Sequence, residues 1–423
     1  MKRSLTLLTL VLLLTGAMAQ QPLQRPVPDY AFANFDRNVI DFPGGSDDFE
    51  VFFNKLDSLF FFGKGHVNIL HIGGSHIQAG VFSQTVRNDL LALCPGTTAA
   101  RGLIFPFSAG RTNNPSSFST YYTGDWSYCR NAVSFDQTLG LAGASITTND
   151  PDASITIVAR DRNPSDNSPT FDFNEVKVIG YSDCDSLVPL IKIDGITVFP
   201  VFDTEQSTYS FHLPYYTDSI RFFFSDAEGE FTLTGIYLDN GMPGISYNDI
   251  GVNGARVNSY LLCENFERDL ALVKPDLVIF GIGINDASGD SFTKQAFKND
   301  YRALIESIRN VSPDCAILFI SNNDSYKRLR RRRYAVNTNG LIVEAAFKEL
   351  AREFDAGLWN QFDIMGGLRS MQQWKDHGLA QKDKVHFTNS GYRLIGDLLF
   401  NALIDTYVEH LRKTNKKSNV DLQ

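Results

Sequence analysis

The chain has 423 residues, of which 43% are hydrophobic, 12% aromatic and 21% charged. That suits a folded protein with a large core and room for more than one domain, and it excludes general disorder. With 39 basic against 48 acidic side chains the net charge is -9, which argues against DNA or RNA as a general partner.

The first element is a leader. Lys2 and Arg3 precede an apolar run, 5–14, and then Ala17-Met18-Ala19, the order of a secretory signal peptide cut after Ala19. The run is too short to span a bilayer, and no later stretch is apolar enough to do so. Cleavage leaves 37 basic and 48 acidic side chains and moves the charge to -11. The expected destination is secreted or periplasmic. Five cysteines (Cys94, Cys129, Cys184, Cys263, Cys315) are scattered without zinc-ligand spacing. Their odd number cannot all pair within one chain, so one or two disulfides stay open.

Residues 20–43 read as a polar, proline-containing lead-in, and 49–62 have helical spacing. A strand is predicted over 67–72. Gly73 and Gly74 break it, Ser75 follows, and 81–93 reads as an amphipathic helix. A strand that turns sharply into a helix exposes its turn residue and free backbone N–H groups, which suits a nucleophilic serine or a phosphate. From about residue 94 helical periodicity stops. Runs rich in β-branched and aromatic residues recur at 153–159, 175–181, 190–201, 209–213, 219–225 and 230–238, the pattern of a β-sandwich. After residue 240 a strand (277–280), helix (297–311), strand (316–320) and two helices (341–354, 392–411) alternate, and 413–423 is a polar tail. Such alternation implies a parallel sheet with helices on both faces and a site beyond the carboxyl ends of its strands. Ser75 and Asn285 both fall at such ends.

A serine that attacks a carbonyl needs a base and an oxyanion hole. Among seven histidines, His386 stands out. Asp383, three residues earlier in a turn, can reach its imidazole and fix the tautomer; a surface Asp and a helix-capping His is the rival reading. Asn285, in Gly281-Ile-Gly-Ile-Asn-Asp286, can offer its side-chain NH2, and Gly254, in Asn248-Asp-Ile-Gly-Val-Asn-Gly-Ala255, a backbone N–H. Both are also common turn residues. His76 could line the site but reads better as a polar residue in a helix's first turn. His66 and His71 read as structural, and Trp359, Trp374 and Met365 as core more readily than as pocket walls. The basic run Lys327-Arg-Leu-Arg-Arg-Arg-Arg333 reads as a solvated loop or helix end, with an anionic glycan or phosphate as the alternative ligand. No Gly-rich phosphate loop or metal-ligand cluster is present, so no cofactor and no metal is expected.

Taken in order, Gly-Gly-Ser, Val-Asn-Gly-Ala, Gly-Ile-Asn-Asp and Asp-Lys-Val-His resemble the four blocks of the SGNH hydrolases, or GDSL esterases. The match falls on Ser75, Gly254, Asn285 and His386, with Asp383 in the Asp-x-x-His position, over about 65–93 and 245–412. It departs at Gly74, where the family usually has Asp. Ser-His-Ile-Gln (75–78), 250–255, Met365-Gly-Gly367 and 378–383 resemble the secreted branch that includes peptidoglycan O-acetylesterases, some of which carry a β-sandwich between the Ser and Gly blocks.

The resemblance implies a three-layer α/β fold, a parallel sheet flanked by helices. Residues 1–19 would be the signal peptide, 20–99 and 241–412 the two parts of the hydrolase domain, and 100–240 an inserted β-rich, sandwich-like domain able to bind carbohydrate. It implies a serine esterase removing O-acetyl groups from a glycan such as peptidoglycan. Ser75, His386 and Asp383 would be catalytic, and Ser75, Gly254 and Asn285 would form the oxyanion hole. An acyltransferase onto a glycan hydroxyl, or a non-catalytic glycan-binding protein on the same fold, are the alternatives.

Overall fold

The computed structural model describes residues 23–420, apart from 95, 134–136, 163–168, 290 and 330–332, with side chains to residue 414. The expected signal peptide lies outside the described residues. A six-stranded sheet forms the centre. Its strands are β1 (Ile40–Asp41), β2 (His66–Gly73), β3 (Gly244–Gly251), β4 (Leu277–Gly281), β5 (Ala316–Ile320) and β6 (Gly357–Trp359), in the order β1-β6-β5-β4-β2-β3. All neighbours are parallel except β1, which runs antiparallel to β6 at the edge.

These strands are apolar on both faces because both faces are covered. Successive residues alternate between two cores. Val67, Ile69, Leu277, Ile279 and Leu318 face one, and Leu70, Ile72, Val278, Phe280 and Phe319 the other. The helices Asp47–Phe62, Val81–Ala92 and Asn389–Val420 pack with the first core, and Phe266–Val273, Lys294–Val311 and Asn339–Glu353 with the second. The protein is therefore a mixed α/β fold with a parallel sheet between helix layers.

Between Gly102 and Asp239 the strands are antiparallel and form a five-stranded and a seven-stranded sheet. Several differences from the expected elements have local causes. The run expected at 190–201 splits into Pro189–Ile193 and Ile196–Val198, because Asp194 and Gly195 both take positive φ (46° and 80°). That is a two-residue hairpin turn, and Ile193 pairs with Ile196 across it. Residues 248–251, where no strand is expected from the sequence, are the end of β3. Their polar side chains hid the strand. Asn248 accepts from Leu103 N (2.7 Å) and donates to Ile69 O (3.2 Å), so polar groups are buried and paired rather than solvated. The closing helix continues to Val420, through most of the expected polar tail. All five cysteines are free.

No helix among the described residues is long and apolar enough to cross a membrane.

Candidate active site

Three neighbouring strands end on glycines in one row. Gly73 of β2 is level with Gly251 of β3 and Gly281 of β4. A Cβ on Gly73 would lie 2.0 Å from Ile77 Cγ1, and one on Gly251 would lie 2.5 Å from Gln78 N. The bare backbone lets the short helix Ser75–Gln78 settle onto the carboxyl edge of the sheet. Beyond those three strand ends lie Ser75, Gly254 and Asn285. The sequence showed each block in isolation; the parallel register is what sets them side by side.

Ser75 Oγ lies 2.8 Å from His386 Nε2, and His386 Nδ1 lies 2.8 Å from Asp383 Oδ2. Asp383 Oδ1 also accepts from Val385 N (3.0 Å) and His386 N (3.1 Å). Burial raises the Asp383 carboxyl, but the hydrogen bonds from His386 and these two amides outweigh it and bring it down to about 2. A carboxylate on Nδ1 requires that nitrogen to carry the hydrogen, which leaves the Nε2 lone pair for the serine proton. The His386 and Asp383 side chains are 33% and 41% exposed, so the pair is open to solvent.

Asn285 lies in the short helix Ile284–Ser288 after β4, preceded by Gly283 with φ 138°. Its Nδ2 donates to Ala255 O at 2.9 Å. An amide NH2 has two hydrogens, so one remains for a ligand. Gly254 is exposed, with φ 88°. It sits in a turn, Val252 to Ala255, closed by Ala255 N donating to Val252 O at 2.9 Å. A Cβ placed on Gly74 would lie 3.4 Å from Asn285 Nδ2 and 3.6 Å from Ala255 O, so Ser75's neighbour, Asn285 and the Gly254 turn share one small volume.

His76 lies closer to this centre than its first-turn reading implied. Its ring is 5.1 Å from that of His386, and its Nδ1 pairs with Tyr392 OH at 2.9 Å. Burial first, and the neighbouring His386 second, lower it to about 3. A histidine one residue after the serine was the available signal. His71 is buried, bonded to Tyr247 OH (2.8 Å) and lowered to about 3 by burial; it is structural. Trp359 and Trp374 are core residues, with Nε1 on Asn38 Oδ1 (2.8 Å) and Met365 O (2.9 Å). Of the basic run, expected as a loop or helix end, residues 330–332 lie outside the described residues, while Lys327 and Arg328 pair within a two-stranded hairpin, Tyr326–Arg328 with Tyr334–Val336. Its Tyr326 N donates to Lys384 O at 3.1 Å, and the Lys384 ammonium lies 4.4 Å from the Tyr326 ring, so the hairpin leans on the Asp383–His386 turn.

Sequence reasoning missed the contribution of the antiparallel region. Asn253 N donates to Gln78 Oε1 (2.7 Å), Asn253 Nδ2 to Asn113 Oδ1 (2.7 Å), and Arg130 Nη1 to Asn253 O (3.0 Å). Nothing in the local pattern around Asn113 or Arg130 points to residue 253, more than a hundred positions away.

Residues 229–394 match the model of the GDSL-like lipase/acylhydrolase family. The match contains Gly254, Asn285, Asp383 and His386, while Ser75 lies upstream of it. No curated protein matches the sequence. Among solved structures, one titled as a peptidoglycan O-acetylesterase in action superposes with a TM-score of 0.71 at 20% identity, covering 88% of this chain and 99% of that one. An acetyl xylan esterase gives a TM-score of 0.31 at 17% identity, covering 37% of this chain and 81% of that one. A family two carbohydrate esterase from Cellvibrio japonicus gives 0.25 at 12% identity, covering 70% and 99%.

Proposed function

We infer that this chain, a serine esterase of the SGNH hydrolase (GDSL-like lipase/acylhydrolase) type, removes O-acetyl groups from a glycan outside the cytoplasm. The observation that carries the reading is the hydrogen-bonded line from Ser75 Oγ through His386 to Asp383, with steps of 2.8 Å each. In this reading Nε2 of His386 takes the Ser75 proton as Oγ attacks the acetyl carbonyl. The N–H groups of Ser75 and Gly254 and the amide of Asn285 hold the oxyanion. The sugar oxygen leaves with the proton from His386, and water repeats the attack on the acetyl-enzyme. Asp383 keeps the imidazole in its working tautomer and stabilises its charged form.

A glycan is supported by the name of the solved structure that this fold resembles. It is also supported by exposed rings in the antiparallel region, Tyr121, Tyr122, Phe199, Phe202, Tyr215 and Tyr216, since sugars stack on aromatic faces. We take the strands between 100 and 240 as the inserted module that would hold the polymer. The leader read in the sequence supports a secreted or periplasmic location. Hydrolysis is favoured over acyl transfer because His386 is open to water, and the aligned triad speaks against a decayed, purely binding role.

The test is acetate release from O-acetylated peptidoglycan and from acetylated xylan by wild type, Ser75→Ala and His386→Ala. Release by wild type and loss in both variants is expected. Equal rates in all three would overturn the mechanism, and release from neither polymer would overturn the substrate class.

A further inference from the structure

We propose that Arg130, on the strand Ser127–Arg130 of the seven-stranded antiparallel sheet, is a positioning residue that holds the Gly254 oxyanion donor in its working orientation. The inference rests on the reading of Gly254 N–H as such a donor. The carbonyl of Asn253 and the N–H of Gly254 belong to one planar trans peptide, so they point in opposite directions. Fixing the carbonyl fixes the donor.

The peptide needs fixing because of where it lies. Val252 to Ala255 is a four-residue turn with Gly254 at its third position, φ 88°, while Asn253 is not among the residues with positive φ. Negative φ followed by positive φ is the type II form. Types I and II keep the same ends and differ in the sense of the central peptide, here Asn253–Gly254. In the alternative sense the carbonyl oxygen would face the site, where it would repel a developing oxyanion instead of stabilising it. A glycine crosses between the two forms with little steric resistance.

The other partners of Asn253 do not decide this. Gln78 Oε1 holds Asn253 N, which belongs to the preceding peptide, and Asn113 Oδ1 holds the side-chain amide. Arg130 Nη1, at 3.0 Å, holds the carbonyl itself. A guanidinium on a carbonyl makes a charge-assisted hydrogen bond, and it polarises the same peptide's N–H toward stronger donation. The antiparallel region thus reaches the reacting centre through this peptide, whatever its own affinity for a polymer.

The experiment compares wild type, Arg130→Met, Arg130→Lys and Asn285→Ala on p-nitrophenyl acetate, a small neutral ester. It also measures inhibition by a boronic acid that forms a tetrahedral adduct on the nucleophilic serine. Arg130→Met should lower kcat by about 10- to 100-fold, short of the 10²- to 10³-fold that outright loss of an oxyanion donor costs. KM should stay within about twofold, and boronate affinity should fall in step with kcat. Arg130→Lys, which keeps a charged donor, should recover most of both. Unchanged kcat in Arg130→Met, or a change in KM alone, would overturn the proposal. So would a fall in kcat without a fall in boronate affinity, which marks a merely structural role. If Asn285→Ala and Arg130→Met both leave kcat unchanged, the oxyanion reading itself fails; if only Arg130→Met does, that reading stands and the role of Arg130 falls.

Discussion

Replacing Asp383 by Asn tests the triad more sharply than removing the serine. The carboxylate accepts three hydrogen bonds, two from the backbone N–H groups of Val385 and His386 to Oδ1 and one from His386 Nδ1 to Oδ2. In the amide, the oxygen stays where the two N–H groups point, because those donors cannot be satisfied by NH2. The new NH2 then faces Nδ1 and demands a lone pair there, which moves the ring hydrogen to Nε2, facing Ser75. The imidazole is held in the tautomer that cannot accept the serine proton. In a buried serine-protease triad this exchange costs about 10⁴ in kcat. Here the His386 side chain is 33% exposed and that of Asp383 41%, so water can support the other tautomer. We expect a loss of about 10²- to 10³-fold, or ~3–4 kcal/mol of barrier. Asp383→Ala imposes no tautomer, and its loss should be smaller, about 10- to 10²-fold. The assay is steady-state hydrolysis of p-nitrophenyl acetate from pH 6 to 9, with melting curves to establish folding. An Asn variant within threefold of wild type, or an Ala variant slower than the Asn variant, would refute the reasoning.

Two further outcomes follow from the same geometry. Gly74→Ala should keep its activity within about threefold and its stability within about 1 kcal/mol, since φ there is -103° and the new Cβ meets nothing nearer than 3.4 Å. Gly73→Ala should destabilise by about 2 kcal/mol or more, because its Cβ would lie 2.0 Å from Ile77 Cγ1; equal melting temperatures for the two would contradict this. Asp286 accepts from Val257 N (3.3 Å), and desolvation raises its carboxyl to about 6 against the hydrogen bond and the charge of Arg256. The folded chain therefore holds the proton more tightly than the unfolded one. Its contribution is fully present below the ordinary carboxyl value of 3.8 and is lost as pH rises through about 6. By pH 7 the loss is about 3 kcal/mol. Asp286→Asn should raise the melting temperature at pH 7 relative to wild type and leave the two alike near pH 4; parallel profiles would sink the account.

Much of this protein is legible in its sequence because the relevant signals are local. Buried parallel strands read as apolar runs, so β2, β4 and β5 fall within a residue or two of expectation. The Asp383–His386 pair is legible because three residues of turn suffice to bring carboxylate and imidazole together. Strand β3 was hidden because Asn248 and Asp249 are polar yet buried, their groups satisfied by Leu103, Ile69, Ser83 and Arg87, and hydrophobic periodicity cannot register polar groups that are satisfied at long range. The hairpin at Asp194–Gly195 carried a turn signal inside what reads as one β run.

Ser75 began as a glycine turn able to hold a nucleophile or a phosphate. Sequence alone set the residue types at each strand end and their order along the chain. Only the tertiary structure decided that Gly73, Gly251 and Gly281 share one row, that Ser75 meets His386 across 311 positions, and that Arg130 grips the peptide of Gly254. Register between parallel strands and contacts between distant segments are properties of packing, and no stretch of sequence contains them.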